Sequence, residues 1–77
     1  AKNKEIVSEI VKAIDESLSI HDFRMVPGET HTNLIFDVVK PFDCKIADEV
    51  LLSTIREKVL AQLPNHFCVI AVDRPYC

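Results

Sequence analysis

The centre of this sequence is the segment IHDFRMVPGETHTNLIFDVV, which spans residues 20–39. Apolar side chains recur there at every second position, which is typical of β-strands that bury one face; they are Phe23, Met25, Leu34, Phe36 and Val38. Pro27-Gly28 lies between the two runs, and Gly28 is the only glycine of the chain. Because a proline followed by a glycine favours a chain reversal, the segment predicts two strands, over about 20–26 and 32–39, joined at this turn.

The residues before this segment predict an amphipathic helix over 4–18. Its apolar side chains follow three- and four-residue spacing, with charged and polar residues between them; they are Ile6, Val7, Ile10, Val11, Ile14 and Leu18. Asn3 is expected to cap the first turn through its side-chain oxygen. The apolar stripe is expected to pack on the two strands.

The residues after the segment predict a second helix and a third strand. Asp43 is expected to cap the helix, since its carboxylate can accept a backbone N–H at the positive end of the helix dipole. The helix is predicted to run to about Gln62, because Leu63-Pro64 ends it. Its apolar residues recur at four-residue spacing and are Ala47, Leu51, Ile55 and Val59. Phe67 to Asp73 is apolar and rich in β-branched residues, which predicts a third strand that is buried on both faces.

The order helix-strand-strand-helix-strand predicts a single αββαβ domain over residues 1–77. We expect a two-layer α+β sandwich, in which a three-stranded mixed sheet carries both helices on one face. The opposite face would then carry an exposed apolar patch, formed by Ile35, Val39, Val69 and Ala71. Because such patches mark interaction surfaces, the domain is expected to self-associate through or beside the open sheet.

Composition and charge exclude several classes of function. The formal net charge is −3 and the basic residues form no run, which argues against binding to nucleic acid or to an anionic membrane surface. No apolar run approaches the roughly 20 residues that span a bilayer, so the segment is expected to be soluble. Cys44, Cys68 and Cys77 include no Cys-x-x-Cys pair, which favours a reducing compartment. No serine or cysteine lies in a nucleophile elbow, so we expect no enzyme and no catalytic residue.

Four side chains could meet as a metal site at one end of the domain. His21 begins the first strand, and Glu49 lies in the first turns of the second helix. Asp37 and Asp73 lie at the ends of the second and third strands. Imidazole with carboxylates suits a divalent first-row metal ion. The spacing has no local signature, so a second interpretation stays open, in which His21 bonds to Asp22 or to backbone and the acidic residues face solvent.

Taken together, these features resemble the cytoplasmic C-terminal domain of cation diffusion facilitator transporters. The resemblance is carried by the element order, by His21-Asp22-Phe23-Arg24 in strand one, by the Leu63-Pro64 break and by the ending VIAVDRP over residues 69–75. It implies a metallochaperone-like (ferredoxin-like) fold that follows a six-helix membrane domain, on the cytoplasmic side of the cell membrane. The chain would then be a piece of a longer multi-pass protein. The resemblance further implies a homodimer that binds zinc or a related divalent ion at its interface.

Compared position by position, the chain keeps some of the family's ligands and replaces others. The family's first-strand histidine falls on His21, and its third-strand aspartate falls on Asp73. Asp37, Glu49 and Ala71 stand where zinc-binding members have histidine. Carboxylates in place of imidazoles either shift the preference from zinc toward harder ions such as manganese or iron or remove metal binding altogether.

The resemblance thus implies a regulatory, metal-sensing domain of a proton-coupled divalent-cation efflux transporter. An ion held between the subunits would favour the closed pair, and the transport path itself would belong to membrane helices outside this chain. Two alternatives stay open. A free-standing soluble metal carrier is disfavoured by the absence of Cys-x-x-Cys. A small-molecule regulatory module of similar αβ architecture is disfavoured by the single glycine, which makes a ligand loop lined by backbone harder to build.

Overall fold

The computed structural model describes residues 2–75 of the chain. Its five elements are α1 (Lys2–Ile14), β1 (Ser19–Pro27), β2 (Thr32–Val39), α2 (Asp48–Gln62) and β3 (His66–Asp73). The strand order is β1-β2-β3, with β1 antiparallel and β3 parallel to the central strand β2. The predicted α+β class, the element order and the mixed sheet are therefore confirmed. No helix within residues 2–75 is long and apolar enough to cross a membrane.

A single hydrophobic core lies between the sheet and both helices. Leu34, Phe36 and Val38 of β2 point into it and are fully buried, as their period-two spacing predicts. They pack with residues of α1, α2 and the connecting segments, namely Val7, Ile10, Val11, Leu18, Cys44, Leu51, Ile55, Val59 and Cys68. Because both helices cover the same face, no element within residues 2–75 covers the other one. The prediction that β3 is buried on both faces is therefore wrong, since Phe67 and Val69 are about half exposed.

A β-bulge interrupts β1 between His21 and Arg24. Asp22 has a φ of 56°, in the left-handed region where aspartate is one of the few tolerated residues besides glycine. Asp22 and Phe23 together lie opposite the single residue Phe36, and the rings of Phe23 and Phe36 stack with centroids 6.0 Å apart. The bulge therefore inserts one residue without breaking the aromatic contact in the core.

The bulge also decides which side chains of β1 face the helices. Before it, Ile20 pairs with the inward residue Val38, so the next residue, His21, points outward. After it, Met25 lies on the inward side, as predicted. A regular strand would place His21 on the same side as Met25, because two residues an even number of positions apart share a face. The extra residue instead places His21 on the outer side, directly beside Asp37.

Helix α1 ends at Ile14, four residues before the predicted end at Leu18. The carboxylate of Asp15 accepts hydrogen bonds from the backbone N–H (2.9 Å) and from the hydroxyl (2.7 Å) of Ser17. This local turn competes with the next helical hydrogen bonds. The hydrogen bond from the Ser17 backbone, followed by that from its hydroxyl, lowers the pKa of Asp15. Leu18 still reaches the core, but from the turn.

Both predicted helix caps are wrong. Asn3 lies inside α1, and its side-chain nitrogen lies 3.2 Å from the sulfur of Met25. Helix α2 begins at Asp48 rather than after Asp43, and the N-cap position is held by Ala47, whose side chain cannot accept a hydrogen bond. The helix begins late because the chain first makes a separate turn after β2. Acidic residues nevertheless occupy the first turn of α2, where the helix dipole favours them.

Gly28 is required for space rather than for an unusual backbone angle. Its φ is not positive, and its N–H donates to the carbonyl of His31 across the turn at 2.8 Å. A Cβ atom at this position would lie 2.9 Å from the same carbonyl oxygen, closer than real Cβ contacts allow. The predicted turn is confirmed, with β1 extending through Pro27.

Asp48 links the carboxyl ends of β2 and β3 to the start of α2. Its carboxylate accepts a hydrogen bond from Lys40 Nζ at 2.8 Å, and Arg74 Nη2 lies 3.1 and 3.0 Å from its two oxygens. Lys40 is only 8% exposed, so the carboxylate neutralises an otherwise buried ammonium group. The hydrogen bonds from Lys40 and then Arg74 lower the pKa of Asp48.

The Asp48→Asn variant should be less stable than the wild type at neutral pH, because Lys40 would lose its charged partner. In the wild type, the stabilisation by the ionised Asp48 carboxylate is fully present above pH 3.8, the ordinary pKa of an aspartate side chain. It is lost as the pH falls through the lower pKa of Asp48 in the folded state. Urea denaturation at several pH values measures it. Asp43→Asn is the control and should match the wild type. Equal stability of both variants at neutral pH would contradict the role of Asp48.

The Asp22→Val variant should lower the free energy of unfolding by about 1–2 kcal/mol, because a β-branched residue resists a positive φ. Asp22→Asn should stay within about 0.5 kcal/mol of the wild type, since asparagine tolerates this region. Chemical denaturation of both variants provides the comparison. A valine variant as stable as the asparagine variant would show that the bulge does not hold Asp22 in this conformation.

Candidate functional site

The candidate site is the outer face of the sheet, which the helices leave uncovered. Its outward residues form rows across the three strands, in the order β1, β2, β3. The rows are Ser19, Val39 and Asp73; His21, Asp37 and Ala71; Arg24, Ile35 and Val69; and Val26, Asn33 and Phe67. We call these residues the outer face. Its first two rows carry the imidazole and the carboxylates, and its last two rows are mainly apolar.

We call the first two rows the polar end of the outer face and the last two rows its apolar end. At the polar end, His21 and Asp37 are direct partners in the strand register. Asp73 lies one row away on β3, and Asp22 is in the bulge. The pKa of Asp37 is raised, first by partial loss of hydration, then by the negative charge of Asp73 and by the hydrogen bond and charge of Asp22; the charge of His21 acts in the opposite direction. His21 Nε2 lies 3.4 Å from Ser19 Oγ, a contact that sequence analysis did not predict. The polar end therefore concentrates negative charge beside one imidazole.

Three of the four predicted metal ligands share the outer face, and one does not. His21, Asp37 and Asp73 lie in neighbouring rows. Glu49 lies in the first turn of α2, in the helix layer on the opposite side of the sheet. No group of three or more His, Cys, Asp or Glu side chains within residues 2–75 is arranged to hold a metal ion. The metal site stays a prediction.

At the apolar end, large hydrophobic side chains are exposed. Val26, Phe67 and Val69 are each about half exposed, and Ile35 lies between them. The ring of His31, from the turn between β1 and β2, contacts the edge of Phe67 with centroids 5.4 Å apart. Sequence analysis missed two members of this surface. They are Val26 and Phe67, which the alternation of outward residues along β1 and β3 would have predicted.

The described cysteines are not available as surface ligands. Cys44 and Cys68 are both free and buried. Burial raises the pKa of the Cys68 thiol to about 11, so it stays protonated at neutral pH. Cys44 fills core space in the loop before α2. The third cysteine, Cys77, lies outside the described residues.

The Asp73→Asn variant should lower the pKa of Asp37 toward its ordinary value of 3.8, because one of the negative charges that disfavour its ionised form is removed. The carboxyl carbon resonance of Asp37, followed by NMR during a pH titration, measures the change. Glu49→Gln is the matched control and should leave the titration of Asp37 unchanged. An equal effect of both variants would contradict the separation of Glu49 from the polar end.

No family model, no curated protein and no solved structure matches the chain. The resemblance to the cation diffusion facilitator domain consequently stays a prediction based on residues and element order.

Proposed function

We propose that this chain is the dimerising, metal-sensing cytoplasmic domain of a proton-coupled divalent-cation efflux transporter. The observation that carries the proposal is the outer face, where an apolar half and a half rich in carboxylates lie side by side on a surface that no helix covers. An apolar surface of this kind favours burial against a partner. The second copy of the chain is the partner that presents the same surface.

Face-to-face packing about a two-fold axis parallel to the strands fits the order of the rows. In this arrangement each β2 faces its counterpart, and β1 faces the partner's β3. Ile35 then faces the partner's Ile35, and Val26 faces the partner's Phe67. The two mainly apolar rows, which also contain Arg24 and Asn33, are thereby packed against the same rows of the partner, so that most of the buried side chains are apolar.

The same arrangement brings the two polar ends together. Asp37 faces the partner's Asp37, and the partner's Asp73 lies within one row of His21. Carboxylates of both copies repel one another at this distance, so the closed pair is disfavoured when no cation is present. His21, Asp37 and the partner's Asp73 are the residues that would hold a divalent ion, which would supply positive charge between them.

Regulation then follows from the difference in affinity between two states. An ion that binds the closed pair better than the separated domains shifts the population toward the closed pair by that difference and no more. The donor set of one imidazole with several carboxylates suits manganese or iron better than a site made of histidines, and zinc remains compatible with it. In the transporter, a change in the distance between the two cytoplasmic domains would alter the arrangement of the membrane domain.

The resemblance supports this proposal over the two alternatives. His21 and Asp73 match the family's ligand positions, and the element order is the same. A free-standing metal carrier needs exposed soft ligands from which an ion can be transferred. Both described cysteines, Cys44 and Cys68, are buried.

The test is the association of the isolated domain with and without manganese, iron(II) and zinc, measured by analytical ultracentrifugation. Each active metal should strengthen the pair, and Asp37→Asn should strengthen it without metal while reducing the response to metal. Val69→Ser should weaken association about tenfold under all conditions, because it removes apolar surface from the interface. Val50→Ser is the control, since Val50 is exposed to a similar extent (56% against 52%) but lies on α2.

Two outcomes would contradict the proposal. A folded monomer at high concentration, in the presence and absence of every metal, would exclude the dimer. Dimerisation that no metal changes, and that Asp37→Asn does not change, would exclude the sensing role while leaving the interface in place.

A further inference from the structure

The two edges of the sheet are protected to different degrees. The edge formed by β1 is interrupted by the bulge at Asp22 and ends at Pro27, two devices that block pairing with another strand. The edge formed by β3 has neither. It keeps a regular register with β2 over its whole length, His66 to Asp73, and contains no proline or glycine. The β3 edge is therefore the one that can accept a further strand.

Backbone groups at this edge alternate in direction. The carbonyl of Asp73 accepts a hydrogen bond from the N–H of Lys40, so this residue of β3 faces β2. By the two-residue period, the N–H and C=O groups of Cys68, Ile70 and Val72 face away from the sheet. The carbonyl of Cys68 accepts a long hydrogen bond from Arg56 Nε at 3.4 Å. Arg56 therefore lies over the open edge.

Helix α2 carries complementary charges above this edge. Glu49 and Arg56 are seven residues apart, which places them on the same stripe of the helix. Both are exposed, and neither forms an ion pair within residues 2–75. Seven residues correspond to about 10 Å along the helix, or about three residues of strand. Arg56 lies beside Cys68, and because α2 runs antiparallel to β3, the helical rise would place Glu49 about three strand residues further along, near Ala71.

We propose that two copies of this chain also pair edge to edge through β3, antiparallel and centred on Ile70, to form one continuous sheet. Cys68 would then lie opposite the partner's Val72, and about six backbone hydrogen bonds would join the strands. Measured along the paired β3 strands, the positions of Arg56 and of the partner's Glu49 then differ by about one residue. Two symmetric ion pairs between the α2 helices result. This charge complementarity is what identifies the occupant as a second copy.

The surface beside the edge fits the same partner. A groove of about 350 Å³ lies between α2 and β3, lined in part by Arg56, Leu60 and Phe67. Three of its six lining residues are polar or charged, but most of the surface it exposes is apolar, and Leu60 is 42% exposed. Apart from Phe67, which lines both, the edge pairing uses a surface different from the outer face. It goes beyond the proposed function and does not depend on it.

A charge exchange tests this inference. In an Ile35→Ser background, which weakens face-to-face packing, Arg56→Glu and Glu49→Arg should each weaken self-association about tenfold or more. The double variant carrying both changes should restore it to within about threefold of the background. Lys58→Glu is the control, because Lys58 lies on the side of α2 that faces α1. Sedimentation measures association, and circular dichroism checks that each variant is folded.

Hydrogen exchange gives an independent measurement. The amides of Cys68, Ile70 and Val72 should exchange more slowly as the protein concentration rises, whereas those at the β1 edge should not change. A double variant as weak as the single variants, or a background protein that stays monomeric, would overturn the edge pairing. Neither result would affect the metal-dependent pair of the wild type, which is judged by the response of Asp37→Asn.

Discussion

The rest of this structure depends on one constraint: three strands are covered by two helices on a single face. A domain of this size has no second layer, so every other residue of the central strand β2 is buried and the residues between them face outward. Leu34, Phe36 and Val38 consequently build the core, while Ile35 and Asp37 lie on a surface that no other element of residues 2–75 covers. The covered face supplies the hydrophobic core of the protomer, and the proposed self-association would use the uncovered face.

The β-bulge gives the open face its chemistry. One inserted residue at Asp22 moves His21 to the outer side and keeps Phe23 against Phe36. Without that insertion, the imidazole would point toward the helices and Asp37 would lack its neighbour. The conformation at Asp22, with its positive φ, is therefore a local cost that the aromatic contact in the core offsets.

At the end of the sheet where β2 and β3 finish, its two faces differ in how charge is balanced. Near the start of α2, the carboxylate of Asp48 is matched by Lys40 and Arg74, and its pKa falls. On the outer face, Asp37 is surrounded by other carboxylates, and its pKa rises. The first arrangement is complete within one protomer. The second leaves unbalanced negative charge on the outer face, which is why we propose that a cation binds there.

The sequence by itself determined the element order, the inward face of each strand of the central pair and the position of the turn at Gly28. These are set by local periodicity and by single residues, and they need no knowledge of distant contacts. The sequence also grouped His21, Asp37 and Asp73 as candidate ligands, because each lies near an end of its strand; it did not show that they lie in neighbouring rows of the sheet.

Only the tertiary structure decided the ends of the helices, the bulge and the place of Glu49. The end of α1 depends on a hydrogen bond between Asp15 and Ser17. The start of α2 follows a separate turn after β2, where Asp48 pairs with Lys40 and Arg74, the residues directly after β2 and β3. Strand register is a cooperative property of paired strands, so the shift that turns His21 outward cannot be obtained from β1 alone. Glu49 lies on the other side of the sheet because the helix that carries it must cover the core.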